Sequence, residues 1–182
     1  MLFLSLLLAP APALAETPEG WFIAGSDRTA YESDVVDESR DGGKSARLRT
    51  VEGKRNKGFG TLMQTMKPTG YAGNRVQMTA WIKSDGVKDW AGMWLRVDGP
   101  GKGHSAFDNM GDRRIVGDTE WTRYSIVLDV DPGATNIAYG VLLSDGGTVW
   151  MDDVEFDVVD ESVPVTAETQ TRYEPENPSF EE

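Results

Sequence analysis

Cysteine is absent and histidine occurs once in the 182 residues. Without cysteine there is no disulfide framework, thiol nucleophile or thiolate metal site. Without a His-x-x-His pair a zinc centre has no nucleus. Basic residues are also scarce: 18 Lys and Arg stand against 30 Asp and Glu, a net charge of −12. That balance repels phosphate backbones and anionic lipid, so no nucleic-acid partner is expected. Past residue 16 no apolar run approaches the ~20 residues of a membrane-spanning helix, and no helical periodicity of useful length appears. The Gly-x-Ser-x-Gly elbow, the phosphate loop and the dinucleotide fingerprint are missing, since Gly101-Lys102-Gly103 lacks the spacing and the following Ser or Thr.

What is present is short-period alternation. Hydrophobic residues make up 39% and aromatics 9%, enough for one core. Alternating runs at 20–24, 30–34, 45–50, 60–66, 75–83, 91–98, 122–130, 136–143 and 148–158 read as strands. Turn signals separate them, among them Asp41-Gly42-Gly43, Asp85-Gly86, Asp131-Pro132-Gly133 and Asp145-Gly146-Gly147. The pattern predicts an all-β fold, a two-sheet β-sandwich or jelly roll. Residues 99–120 are expected to be a long irregular segment, with a short strand at 107–110 as the alternative.

The predicted organisation is a signal peptide over 1–15, one domain over 16–160, and an acidic disordered tail over 161–182. The leader rests on apolar Leu2–Leu8 and on Ala13-Leu14-Ala15, a small-x-small cleavage pattern, although no Lys or Arg precedes the apolar run. A hydrophobic N-terminal helix is the alternative. Export predicts a periplasmic or secreted protein with no stable membrane insertion once the leader is removed.

Two runs carry the chemistry. Val76, Met78, Ala80 and Ile82 alternate with Gln77, Thr79, Trp81 and Lys83; Ala91, Met93, Leu95 and Val97 alternate with Gly92, Trp94, Arg96 and Asp98. Side chains change face at every strand residue. If the runs pair as a hairpin, Trp81 and Trp94 share a face with Lys83, Arg96 and Asp98. Indoles beside charges suit a flat polar ligand such as a sugar. The alternative is a second buried layer in which the indoles fill space and Arg96–Asp98 is a structural ion pair.

Gln64 is expected to add an amide to that face, and Trp90, at the bend, to rim a cleft or cap the sandwich. Asp108 and Asn109 are candidates to orient a ligand or to form a turn. The expected function is therefore non-catalytic binding of a small polar ligand or glycan with no required cofactor. The alternatives are an enzyme, lyase or hydrolase, using Asp108, Arg96 and His104, or a protein-interaction module. Oligomeric state is left open.

The run Val149-Trp150-Met151-Asp152-Asp153-Val154-Glu155-Phe156 resembles the last strand of galactose-binding-like jelly rolls, the fold of many carbohydrate-binding modules. Gly20-Trp21, Tyr31 and the stretch 42–48 are similar to the start of such domains. A closer likeness is to uncharacterised bacterial domains with blocks like those at 58–64, 90–99 and 107–110, found alone or appended to AraC-type transcription regulators. The resemblance implies a sugar-binding sandwich. It also implies a structural calcium, with Asp34 or Asp37 and Asp152 as candidate oxygen ligands; a hydrogen bond from an Asp to a turn is the alternative. No basic helix-turn-helix segment is present, so the regulatory activity does not follow.

Overall fold

Residues 75–98, expected as the two arms of a hairpin, form one continuous strand that does not reverse. The computed structural model describes residues 17–54, 57–101 and 103–167. The strands are β1 (Phe22–Ala24), β2 (Tyr31–Val36), β3 (Ser45–Thr50), β4 (Phe59–Met66), β5 (Arg75–Asp98), β6 (His104–Asp108), β7 (Ile115–Asp129), β8 (Asn136–Ser144) and β9 (Thr148–Val159), with a 3-10 turn at Arg28–Ala30. The leader predicted at 1–15 and most of the predicted tail lie outside the described residues.

The pairings are antiparallel and run β1-β4-β8-β5-β9-β3-β2, with β6 and β7 also on β5. The 75–85 half of β5 lies between β7 and β9, and its 90–98 half between β8 and β6. β5 thus folds the sheet into two layers, β7-β5-β9-β3-β2 and β1-β4-β8-β5-β6. The crossing is made by register shifts between Ile82 and Ser84, Ser84 and Val87, and Val87 and Ala91, where Gly86 adopts φ 58°. Such bulges re-aim a strand without ending it.

Apolar residues from both layers meet between them. Val76, Met78 and Ile82 come from the first half of β5, and Met93, Leu95 and Val97 from the second, with Leu48, Leu62, Ile126, Leu128, Leu143 and Val149. Burying each such side chain fully contributes about 1.5–3 kcal/mol. Trp21, Tyr139, Phe156 and Tyr71 close one end, Tyr139 packing edge-on to Trp21 at 5.5 Å and to Phe156 at 4.8 Å.

Two further expectations change. Half of residues 99–120 belong to β6 and the start of β7. Residues 161–167 pack on the domain: Arg75 Nη1 donates to the carbonyls of Glu161 and Val163, and Thr166 N donates to Val127 O.

Candidate functional site

The hairpin expectation put Trp81 and Trp94 on one surface; the crossing of β5 puts them on different layers. Trp81 pairs with Arg123 and Asp152 in the first layer, and Trp94 pairs with Gly140 in the second. Each points away from the core of its own layer, so the two indoles lie on opposite outer faces.

The outer face of the first layer is overlaid by paired charges. Arg40 stacks on Trp81 at 4.7 Å and donates to Asp153. Lys83 lies over Trp150 at 5.5 Å and bonds Glu38 at 2.7 Å, which holds its ammonium above its ordinary pKa. Arg47 grips Asp34 through two bonds of 2.9 and 2.6 Å. Lys83 therefore does not join Trp94, Arg96 and Asp98. Asp34, of β2, and Asp152, of β9, stand on strands separated by β3. Among the described residues no group of three or more His, Asp or Glu is placed to hold a metal ion. Burial, and then Asp153 beside it, push the Asp152 carboxyl above its usual range.

The outer face of the second layer holds a groove of about 370 Å³. Its floor follows from strand register. Trp94 stands opposite Gly140, which in turn faces Met63, so these residues share one rung across β5, β8 and β4. The next rung is Gly92, Leu142 and Thr61, and beyond it lie Trp90, Ser144 and Phe59. Trp94 Nε1 donates to Thr61 Oγ1 at 2.7 Å, reaching across β8, where Gly140 offers no side chain to obstruct it. Thr61 Oγ1 passes its own proton to Val141 O at 2.9 Å. The indole is thereby 7% exposed and packs with Ala138 and Leu142.

Aromatic rims rise above that floor. Phe59 is 39% and Phe107 38% exposed, and Trp90 lines the far wall beneath the guanidinium of Arg114, 5.0 Å away. Arg96 supplies the groove's charge. Its Nη2 donates to Asp98 Oδ2 at 3.2 Å, while its Nε approaches Oδ1 to 2.8 Å at an angle too bent for a hydrogen bond. Burial alone would raise the Asp98 carboxyl, but Asn136 and Arg96 outweigh it and hold the group below the usual carboxylate range. Asp98 braces Arg96 from beyond the lining.

Asn109 enters from the turn after β6. Its Oδ1 accepts Gly111 N at 3.0 Å, which fixes the amide with Nδ2 available to a ligand. The turn is held tightly: Met110 is fully buried at φ 61°, a costly conformation for a non-glycine residue. Gly92 makes room, since a Cβ there would sit 3.1 Å from Asn109 O.

Asp108 faces the other side of β6. It pairs with Leu95, whereas Phe107 pairs with Arg96, and it accepts Met110 N at 2.8 Å, Arg113 Nη2 at 2.6 Å and Thr166 Oγ1 at 2.5 Å. It braces the fold. His104 stands opposite Asp98 at the start of β6 and lines a cleft with Asp108 that does not include Arg96, so the three do not converge. Gln64 also leaves the predicted face. It lies on the core side of β4, accepting from Tyr139 OH and donating to Gly20 O at 3.2 Å.

Of the predicted residues, the structure gathers Trp90, Trp94, Arg96 and Asn109, with Asp98 behind them. Sequence reading missed Phe59, Thr61, Met63, Phe107, Leu142 and Ser144 as lining. One signal was available. Residues 137–143 are apolar or small throughout, the mark of a central strand covered on both faces.

No family model matches the chain. Among solved structures it superposes on the CBM22-1 xylan-binding domain of Paenibacillus barcinonensis Xyn10C with TM-score 0.57 and 15% identity, over 79% of this chain and 88% of that one. The fold is that of a carbohydrate-binding-module jelly roll. The CBM22-1–CBM22-2 tandem of the same protein gives TM-score 0.59 at 14% identity over 89% of this chain and 44% of that one. The enzymatically active domain of bacteriophage CBA120 tailspike protein 4 gives 0.56 at 17%, over 78% and 20%. In sequence the jelly roll is 40% identical over 168 residues to YbfP of Bacillus subtilis, an uncharacterised HTH-type transcriptional regulator. The match takes in 90% of this chain, which spans 57% of that relative's length.

Proposed function

We propose that this jelly roll is a non-catalytic module that binds a carbohydrate in the groove of its second layer. The observation that carries the reading is the groove itself: a nearly buried indole in its floor, exposed aromatic rims and two hydrogen-bonding side chains, Arg96 and Asn109, in its lining. Rings at the rim offer flat apolar surface to sugar C–H groups, and the amide and guanidinium bond the hydroxyls. Binding modules among the structural neighbours, one named as xylan-binding, support the reading. The catalytic alternative gains no support from the geometry, because Arg96 lies in the groove whereas His104 and Asp108 line a separate cleft. The relative's name as a regulator supports use of such a module as the ligand-receiving part of a larger protein. Export from the 1–15 leader is likewise proposed, and N-terminal sequencing of the mature protein tests it.

The test is isothermal titration against a panel of oligosaccharides after a glycan-array screen. Trp90→Ala and Phe107→Ala should each weaken binding about tenfold or more, an order expected for losing a stacked aromatic anchor, while Trp81→Ala leaves it unchanged. No binding across the panel, or loss in Trp81→Ala with the other two unaffected, would overturn the proposal.

A further inference from the structure

The groove's electrostatics run against the rest of the molecule. The chain carries 30 acidic residues and a net charge of −12, yet among the described residues no Asp or Glu lines the groove and Arg96 is its one charged side chain. The carboxylates that border it stand outside the lining and are held by other side chains. Asp98 is bonded by Asn136 at 2.9 Å and by Arg96. Asp89 accepts Ser144 Oγ at 2.7 Å. Asp108 is turned to the far side of β6 and held there by Arg113 and Thr166.

The capacity left over is mainly that of donors. The Arg96 side chain is 41% exposed; its Nη2 donates to Asp98, and its Nε and Nη1 make no hydrogen bond among the described residues. Asn109 presents Nδ2, because its oxygen is held by Gly111 N. Thr61 has neither proton nor need to offer, having accepted from Trp94 and donated to Val141. Ser144, with its proton committed, remains an acceptor. A neutral sugar carries hydroxyls that must both give and receive hydrogen bonds. A donor-rich site without carboxylates is better matched by a ligand with surplus acceptors. A hydrogen bond from the charged Nη1 is stronger to a carboxylate than to a neutral hydroxyl.

We infer that the groove selects a uronate-bearing saccharide, its carboxylate meeting Arg96 Nη1 and Asn109 Nδ2 while the sugar ring rests on the Phe107 or Trp90 rim. The inference rests on the carbohydrate-binding reading and names its ligand class. The acidic exterior then acts as a filter. Long-range repulsion slows approach, so recognition depends on short-range contact with Arg96 and is tighter for a compact carboxylate than for densely sulfated chains.

The experiment uses the full chain and matched pairs of oligosaccharides: galacturonate, glucuronate and mannuronate oligomers, each with its carboxyl-reduced neutral counterpart. Titration calorimetry should show at least one uronate oligomer bound ~10-fold or more tightly than its neutral twin, equivalent to about 1.4 kcal/mol. Arg96→Gln should remove that preference, costing the uronate oligomer ~10-fold more affinity than its neutral twin, and Arg96→Lys should keep part of it. Thermal melting of each variant shows that it is folded, and Asn109→Ala supplies a second variant outside the Asp98 pair. If both members of every pair bind alike, or the neutral member binds tighter, the uronate inference is overturned and the carbohydrate reading stands. If neither member of any pair binds, both fall.

Discussion

Replacing Asp108 by Asn separates a structural carboxylate from a ligand-binding one. The side chain is 4% exposed and shares its two oxygens among Met110 N, Arg113 Nη2 and Thr166 Oγ1. Asn keeps the shape but removes the charge and turns an amide NH₂ toward groups that are themselves donors. Hydrogen bonds to a charged group contribute about 1.5–3 kcal/mol each, and three on one carboxylate do not add independently. Removing one member of a buried ion pair costs about 3–5 kcal/mol. Arg113 retains Asp112 at 2.8 Å and is 30% exposed, so the loss belongs at the lower end, ~3 kcal/mol. For a domain of this size that lowers Tm by roughly 6–12 °C. Urea unfolding followed by tryptophan fluorescence measures it, with an unchanged denaturant slope showing that the two states are otherwise the same. Limited proteolysis should cut sooner within 161–167, because Thr166 loses its anchor. A stability loss below about 1 kcal/mol, or lost sugar binding in a variant as stable as the parent, would refute the reasoning and return Asp108 to the binding surface.

Gly140→Ala should destabilise by about 1–3 kcal/mol and weaken the near-ultraviolet circular dichroism of Trp94. A Cβ there would fall 2.1 Å from Leu62 O and 2.9 Å from Met63 Cα, backbone atoms that no rotamer change can move aside; wild-type stability with an unaltered spectrum would contradict this. Tyr31 predicts an alkaline loss of stability. Burial, then Asp27 and Asp145, push its phenol up to about 12, against an unfolded value of about 10. The folded state thus prefers the protonated ring, and the stabilisation is present below pH ~10 and lost as pH rises from there to about 12. Tyr31→Phe should flatten that slope in denaturant titrations at fixed pH, and an unchanged slope would assign the loss to another group.

The layered all-β fold was legible because period-two alternation survives in nearly every strand, and the outer positions of 90–98 were correctly separated from the inner ones. The path of 75–98 was not legible, for a specific reason. Its core-facing residues are even-numbered up to Ser84 and odd-numbered from Val87, with Thr79, Gly92 and Trp94 buried on the outer faces. A reversal at Asp85-Gly86 and a crossing between layers both produce that change of phase. What decides between them is the pairing of each half with strands more than thirty residues away, which no local pattern contains. Gln64 was misplaced by the same ambiguity. Alternation in 59–66 sets two faces, but only the pairing of Leu62 with Val141 and Gln64 with Tyr139 shows which one meets the core. Arg96 and Asp98 were read correctly as neighbours because residues two apart on a strand share a face whatever the topology.

The two outer faces of this sandwich also explain why one sheet keeps a groove. On the first layer long side chains of opposite sign lie across the strands, Arg47 on Asp34, Lys83 on Glu38 and Arg123 on Glu155. Such pairs contribute about 0–1 kcal/mol apiece, so their consequence is steric: they occupy the surface over Trp81 and Trp150. On the second layer the outward row of β8 is Ala138, Gly140 and Leu142, which has no long charged side chain to lie across the strands. An indole can therefore lie flat, and its N–H is satisfied within the floor by Thr61. A floor with no unmet polar group gives a ligand little to bond. Discrimination must then come from Arg96, Asn109 and the rings at the rim, so changes at Trp94 act on folding while changes at the rim act on binding.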